Sequence, residues 1–379
     1  MERRGPRVAA TAAALFFGAG LLIGGLGLHL HQPVLVFLGM GVIGGIGCGL
    51  GYIAPVSTLV KWFPDRRGMA TGMAIMGFGG GAYLAGKWYA VLLAGTNGQQ
   101  PTGLLSSLIY PALGRLGVFG NVAKTVALFG VVYLVVMLIG AAILRRPPAG
   151  WKPEGWVPST TVNKMITSRS LTRDAAVGTV QFYLLWGMLF INVTAGIGIL
   201  AQASPMMQDL FQKTTVEAGA IVSLISLFNA GGRFFWASSS DFIGRRNTYA
   251  VFFLAQIALF LLIPGFAASG SWAVFLACLF TVFTMYGGGF ATIPAFLADI
   301  FGPDNVGAIH GAVLTAWSAA AITGPLIITQ LSNRAKAALP PGASKVHIYD
   351  TPLQVLAAML AVGFVLTLLV RSLRRESNS

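Results

Sequence analysis

Long apolar runs, each near the length of a bilayer crossing, constrain the fold of this chain more than any other feature. A helix needs about 20 mostly apolar residues to cross the hydrocarbon core. Only 9% of the residues are charged, whereas about a quarter are charged in an average soluble domain. We therefore predict an all-α polytopic membrane protein of ten helices, at 8–28, 34–60, 69–94, 124–144, 177–203, 216–239, 248–268, 272–298, 308–331 and 352–370.

The basic residues lie mostly in alternate loops. Because Lys and Arg are enriched in cytoplasmic loops, the richer set of loops predicts the cytoplasmic face and places both termini there, in a cell inner membrane. That set holds Arg3, Arg4, Arg7, Lys61, Arg66, Arg67, Arg145, Arg146, Lys152, Lys164, Arg169, Arg173, Arg245, Arg246, Arg371, Arg374 and Arg375. The net charge of +14 is therefore interpreted as a topology signal, and no nucleic acid is expected as a partner.

A proline-rich break divides the apolar runs into two groups. We predict an N-terminal helix bundle at 1–145, a cytoplasmic linker at 146–176 and a C-terminal six-helix bundle at 177–379. Both cysteines lie inside apolar runs, so neither a disulfide framework nor a metal site is expected. The glycine clusters at 77–81 and 287–289 are expected to allow close contact between helices.

The two groups repeat each other at an offset of 239 residues, as from Gly5 to Gly244. A shared offset over many positions is typical of transporters built from two parallel repeats. The matching pairs are Glu2 and Asp241, Gly5 and Gly244, Arg7 and Arg246, Gly49 and Gly288, Pro55 and Pro294, and the motif P-D-x-x-G-x-x-x-G at 64–72 and 303–311. The runs 177–203 and 216–239 have no counterpart, so we expect two helices to be missing before Met1, through a mis-called start or a real truncation.

Several motifs carry a resemblance to a known family. S-D-x-x-G-R-R at 240–246 resembles the loop motif of the major facilitator superfamily. Four further stretches resemble the oxalate/formate antiporter family and are also similar to the monocarboxylate transporters. They are 47–74, R-R-P-P-A-G-W at 145–151, Q-F-Y-L-L-W-G-M-L-F at 181–190 and the surroundings of Arg233. The resemblance implies the third to twelfth of twelve helices and transport of small organic anions. No enzyme activity and no cofactor are expected.

Arg233 is the leading candidate for binding a substrate. It lies eight residues before Asp241, which places it about 12 Å inside the membrane. A charge there is costly unless it meets a partner or water, and Asn229 shares its helical face. A guanidinium binds a carboxylate through two hydrogen bonds, and the resemblance implies this role. The alternative is an arginine that extends to the cytoplasm or binds a neighbouring helix end.

Aromatic residues at mid-membrane positions are candidates for the rest of the substrate site. Trp317 occupies the place where oxalate antiporters carry a lysine, which favours a monocarboxylate such as formate, lactate or pyruvate over the oxalate dianion. Tyr286, Tyr52 and Trp186 are candidates for the cavity wall. For each of these aromatic residues, ordinary helix packing is the alternative.

The two matching hinges, at 2–7 and 241–246, are predicted to act as a cytoplasmic latch between the bundles, with simple topology anchoring as the alternative. The candidate latch residues are Asp241, Gly244, Arg245, Arg246, Glu2, Arg7, Asp65 and Arg67.

The favoured function is secondary active transport of a monocarboxylate by alternating access. A monomer in the lipid bilayer is expected, and protons and a counter-anion both remain open as coupling partners. The alternatives are an oxalate/formate-type antiporter, an exporter of drugs or other organic anions, and a non-transporting truncated protein or sensor on the same fold.

Overall fold

The computed structural model describes residues 5–93, 113–148, 150–155, 167, 170–340 and 343–373. The helices in this part are α1 Pro6–His29, α2 Pro33–Trp62, α3 Arg67–Leu93, α4 Val122–Ile143, α5 Arg173–Val177, α6 Val180–Phe211, α7 Thr215–Ile243, α8 Arg245–Ala268, α9 Trp272–Phe301, α10 Val306–Ala337 and α11 Asp350–Leu369. Helix α2 includes a π-helical segment, Phe37–Ile43, and α10 is interrupted at Leu314.

Nine of the described helices are long and apolar enough to cross a membrane. This finding confirms the predicted all-α polytopic fold. Helix α3 matches the predicted run 69–94 but is not among the nine, because its many glycines lower its mean hydropathy.

Helices begin where the sequence supplies partners for free backbone N–H groups. The first turn of a helix leaves four N–H groups without an internal partner, and a threonine oxygen can accept from one of them. Thr179 accepts from Phe182 N at the start of α6, at 3.3 Å. At the start of α7, Thr214 and Glu217 each accept from the other's backbone N–H, which is a capping box.

The contacts divide the chain into two units. Unit 1 comprises Met1–Trp62 and Gly81–Trp151, and unit 2 comprises Phe63–Gly80 and Lys152–Ser379. Helix α3 therefore contributes its first part to unit 2 and its second part to unit 1. The predicted domain boundaries at 145 and 176 stay a prediction.

In unit 1, helix α1 packs against α2 and α4. Its approach to α2 depends on small residues, since a Cβ on Gly47 would lie 2.3 Å from the backbone nitrogen of Phe17. On the other side, Phe17 contacts Tyr133 of α4 with ring centroids 5.6 Å apart. Glycines thus bring α1 close to α2, and both glycine and aromatic contacts join α1 to α4.

In unit 2, helix α9 packs against α6, α7 and α8, and nearly all of its second half is buried. Its three consecutive glycines admit different neighbours. A Cβ added to Gly287 would lie 2.3 Å from the backbone oxygen of Asn229. One added to Gly288 would lie 2.8 Å from the Trp236 side chain, and one added to Gly289 would lie 2.5 Å from the Asn192 side chain. The prediction of close helix contact at 287–289 is confirmed. At 77–81, Gly79 makes such a contact, with Ala230, whereas Gly77, Gly80 and Gly81 face open space.

The repeat is visible in the backbone of both units. Gly5 and Gly244, which precede α1 and α8, have positive φ angles of 91° and 85°. Arg7 Nε donates to the Leu144 carbonyl just after α4, at 3.1 Å. Arg246 donates to carbonyls at the end of α11, those of Thr367 at 3.1 Å and Leu368 at 2.9 Å. In each unit, the helix that follows the hinge is hydrogen-bonded to the end of a later helix, α1 to the end of α4 and α8 to the end of α11.

Candidate functional site

Arg233 lies in α7, where three helices position its guanidinium. Its Nε donates to Asn229 Oδ1 at 3.0 Å, one turn earlier in the same helix. Its Nη1 donates to the Ile75 carbonyl of α3 at 3.2 Å. Asn229 in turn donates to the Phe283 carbonyl of α9 at 3.3 Å. Asn229, which the sequence places on the same helical face, therefore binds Arg233, and contacts with α3 and α9 orient the two side chains.

Aromatic rings line one side of this arginine. Its Cζ lies 5.4 Å from the centroid of the Phe290 ring, within the range of a cation–π interaction. Phe290 meets Tyr286 and Trp317 nearly edge-on, with centroid distances of 5.5 and 5.2 Å. Phe290 thus links two predicted site residues to Arg233, although the sequence analysis missed it. Its position one turn after Tyr286 was an available signal.

Two other predicted residues have contacts or burial of their own. Trp186 Nε1 donates to Thr315 Oγ1 at 2.9 Å, and its ring stacks on Phe190. Residues two apart on a helix point about 200° from each other, so Trp186 contacts a different side of α10 from the one that carries Trp317. Tyr52 is buried in unit 1. Within unit 2, the structure therefore joins Tyr286 and Trp317 to Arg233 through Phe290, whereas Trp186 contacts Thr315.

The first part of α3 fits closely against α7 and α9 on both sides of Arg233. An added Cβ on Gly72 would lie 2.9 Å from the Arg233 carbonyl, and one on Gly79 would lie 2.7 Å from Ala230. Next to Gly72, the buried Thr71 hydroxyl donates to the Ala291 carbonyl at 2.8 Å. The arginine is consequently set in a narrow seam, which we define as the contact of residues 68–79 with α7 and α9.

A charge network closes one end of this seam, the hinge end, which holds residues 241–246. The Asp241 carboxylate accepts from the backbone nitrogens of Gly68 and Met69, each at 2.9 Å. These N–H groups belong to the first turn of α3, where the helix dipole favours a negative charge. Arg245 Nη2 lies 2.5 Å from Asp241 Oδ1.

Asp299, in the last turn of α9, completes the network. Its two carboxylate oxygens accept from Arg67 Nη1 at 3.0 Å and Arg245 Nε at 3.2 Å, and its side chain is only 12% exposed. Arg245 also donates to the Ser240 hydroxyl. Asp299 was not among the predicted latch residues. The signal was a carboxylate at the end of an apolar run, close to basic residues.

The remaining predicted latch residues have other contacts. Asp65 lies 3.9 Å from the neighbouring Arg66, whose side chain is largely exposed. Arg7 and Arg246 bind the carbonyls described above rather than acidic groups. Gly244 supplies the positive φ before α8. Glu2 lies outside the described residues.

At the opposite end of unit 2, one carboxylate joins three segments. Asp209, at the end of α6, lies 2.7 Å from Lys336 Nζ of α10 and 3.2 Å from Lys345 Nζ. It also accepts from the Tyr349 hydroxyl at 3.1 Å. Burial and the charge of Asp209 raise the pKa of the Tyr349 hydroxyl well above its usual value, so Tyr349 remains a donor at neutral pH. In the described part of the chain, no group of three or more His, Cys, Asp or Glu side chains is arranged to hold a metal ion.

Comparisons of sequence identify the relatives of this chain. The family profile of the Major Facilitator Superfamily matches residues 1–325. The oxalate:formate antiporter of Oxalobacter formigenes is 27% identical over 328 residues, which cover 86% of this chain and 68% of that protein. Apicoplast pyruvate carrier 1 of Toxoplasma gondii is 28% identical over 323 residues, which cover 77% of this chain and 58% of that protein. The chain thus spans little more than half of the second relative.

Solved structures of transporters share the fold. The Escherichia coli fucose:proton symporter FucP superposes with a TM-score of 0.65 at 13% identity, covering 97% of this chain and 84% of that chain. A bacterial homologue of the lysosomal transporter Spinster superposes with a TM-score of 0.57 at 16% identity, covering 97% and 83%. At these identities the likeness shows the fold alone.

Proposed function

Since the chain belongs to the Major Facilitator Superfamily, a family of transporters rather than enzymes, we propose that it is a secondary active transporter of small monocarboxylates that works by alternating access. The observation that carries this proposal is the Arg233 guanidinium, held between α3, α7 and α9 beside an aromatic surface. Two relatives are named for small carboxylates, the oxalate:formate antiporter and the pyruvate carrier. Their names support a substrate of the same chemical class.

The contacts of Arg233 fit a residue that binds an anion. Asn229 Oδ1 and the Ile75 carbonyl are neutral acceptors. Both contacts fix the orientation of the guanidinium. A guanidinium has five N–H donors in a planar arrangement that matches a carboxylate. A carboxylate is therefore the class of ligand that this oriented side chain suits best.

The aromatic neighbours of Arg233 favour a monoanion. Phe290 adjoins the guanidinium, and both Tyr286 and Trp317 contact Phe290. A second carboxylate on the substrate would meet ring surfaces that do not neutralise its charge, which is unfavourable in a desolvated site. The hydrogen of formate or the methyl group of pyruvate and lactate suits such a surface. We infer that Arg233 selects the carboxylate and the aromatic residues select the remainder.

Replacement of Arg233 by lysine tests the role of the guanidinium fork. Lysine keeps the charge but cannot form two parallel hydrogen bonds to a carboxylate. We expect uptake of labelled formate, lactate or pyruvate into proteoliposomes to fall at least about tenfold, which corresponds to about 1.4 kcal/mol. Arg173→Lys, at an exposed arginine that pairs with Asp174, is the matched control and should transport like the parent. Parent-like uptake by Arg233→Lys would refute the assignment.

The second candidate function is oxalate/formate-type exchange, which the similarity to the Oxalobacter antiporter favours. A lysine in place of Trp317 would add the second cation that a dianion requires. We expect Trp317→Lys to raise oxalate uptake relative to pyruvate uptake in the same proteoliposomes. Efficient oxalate exchange by the parent chain would favour this second function, and transport of no acid by any variant would favour a sensor or other non-transporting role.

The hinge-end network supports the proposed latch in a revised form. We propose that Asp241, Arg245, Asp299 and Arg67 hold the first turn of α3 on the cytoplasmic side in one state of the cycle and release it in another. The basic loops support a cytoplasmic position for both termini, in a cell inner membrane. A monomer coupled to protons or to a counter-anion stays a prediction.

A further inference from the structure

The end of the linker binds the last turn of α9. The last four carbonyls of a helix have no internal partner. Here Thr167 N donates to the Asp299 carbonyl, and Leu171 N donates to the Phe301 carbonyl, each at 2.8 Å. The Leu171 carbonyl accepts from Asn305 Nδ2 at 2.9 Å. Ser170 Oγ accepts from Asp304 N at 3.4 Å, and we call Thr167, Ser170 and Leu171 the strap.

The beginning of the linker makes a similar contact in unit 1. Trp151 Nε1 donates to the Trp62 carbonyl at the end of α2, at 3.1 Å, and the two rings meet at 5.0 Å. Trp62 and Phe301 are counterparts in the 239-residue repeat. The two ends of the linker therefore bind equivalent helix ends, one in each unit.

The two helix ends differ in what they carry. Asp299, whose backbone oxygen the strap binds, holds Arg67 and Arg245 with its side chain. Its counterpart in the repeat is Val60, which has no charge to position. The linker thus binds the helix end through backbone N–H groups in unit 2 and through a side-chain N–H in unit 1, and the end in unit 2 carries the charged Asp299.

We propose that the strap is a positioning element for Asp299, so that attachment of the linker strengthens the hinge-end network. Helix ends fray where their carbonyls lack partners. With the strap bound, the Asp299, Phe301 and Ala298 carbonyls all accept hydrogen bonds, the last of them from Gly302 N. Detachment of the strap would loosen the last turn of α9 and, with it, the carboxylate that holds Arg67 and Arg245. The inference rests on the latch of the proposed function but not on any substrate.

Hydrogen exchange provides a direct reading of the network. The Gly68 and Met69 amides donate to Asp241, so their protection reports how often the first turn of α3 is released. The full chain in phosphatidylethanolamine–phosphatidylglycerol nanodiscs, without any carboxylate substrate, is the sample. Leu171→Pro removes the N–H that binds Phe301 and should raise exchange of these amides roughly fivefold, as expected for the loss of one net hydrogen bond.

Three variants separate positioning from general damage. Leu171→Ala keeps the N–H and should exchange like the parent. Trp151→Phe removes the equivalent donor in unit 1 and should leave Gly68 and Met69 unchanged. Asp299→Asn should raise exchange by itself, and Leu171→Pro should add nothing in that background, because both act through one carboxylate.

The outcomes decide the proposal. The proposal is overturned if the Gly68 and Met69 amides of Leu171→Pro exchange as slowly as those of the parent. It is also overturned if Leu171→Pro raises their exchange as much in the Asp299→Asn background as in the parent. If Leu171→Pro does not fold, Asn305→Ala removes the side chain that binds the Leu171 carbonyl, and the same two criteria apply. Failure of carboxylate transport would leave these exchange results intact, so the two proposals can fail separately.

Discussion

The two units carry the same hinge but place it in different electrostatic surroundings. In both, a glycine with positive φ precedes the helix, and an arginine two residues later binds carbonyls at the end of a packed neighbour. The charges of the hinge-end network do not follow the repeat. The counterparts of Arg67, Arg245 and Asp299 are Val306, Pro6 and Val60. The repeat thus preserves the elements that shape the backbone, and unit 2 alone carries those three charges.

This difference indicates which contacts serve the fold and which serve function. Backbone contacts found in both units are explained by the stability of each bundle. A network of four partly buried charged groups at one hinge is costly to desolvate. For three of its members, the equivalent position in the repeat carries no charge. This asymmetry is in keeping with the latch proposed above, and the following substitutions compare the network and the two hinges.

The largest effect is expected at Gly68, where the network meets the seam. An added Cβ would lie 2.1 Å from the Ala237 carbonyl, so Gly68→Ala must push α3 away from α7. We expect a loss of about 3 kcal/mol of stability, the upper end of the usual range for overpacking because the obstacle is backbone, together with loss of transport. Gly77→Ala is the matched control on the same helix, since its Cβ would meet nothing within 4 Å. The measurement is thermal unfolding in detergent. Equal losses of stability in the two variants would contradict the close packing of α3 against α7 at Gly68.

A smaller and balanced effect is expected at the two hinges. Gly5 and Gly244 have open space around an added Cβ, and both adopt a conformation that side chains other than glycine rarely take. Gly5→Ala and Gly244→Ala should therefore each cost about 1–3 kcal/mol through backbone strain alone. Thermal unfolding of the two variants is the measurement. A large cost at one hinge and none at the other would break the structural equivalence of the repeats.

Much of this architecture could be predicted because hydrophobic length and repeated glycines leave strong signals. Arg233 and Asn229 were predictable as polar residues on one face of an apolar helix. The Ile75 carbonyl was not, because any residue supplies a carbonyl and only the packing of α3 selects this one. Asp299 was overlooked for a related reason, since the repeat draws attention to shared positions and Asp299 has an apolar counterpart.

The smallest effect is expected at the two hinge arginines. It tests whether equivalent arginines of the repeat contribute equally to stability. Arg246 makes two hydrogen bonds to the end of α11, whereas Arg7 makes one, at an exposed position. Arg246→Gln should cost about 1 kcal/mol, because it removes a positive charge and donors from a helix C-terminus. Arg7→Gln should cost less, since solvent competes for its single bond. Arg246→Lys should recover part of the loss, because a charge near the helix end remains. Arg7→Gln could instead lower the thermal stability more than Arg246→Gln while membrane insertion stayed normal. In that case the hinge of unit 1 would contribute more stability than its single exposed hydrogen bond explains. The hinges would then be equivalent in shape but not in the forces that hold them.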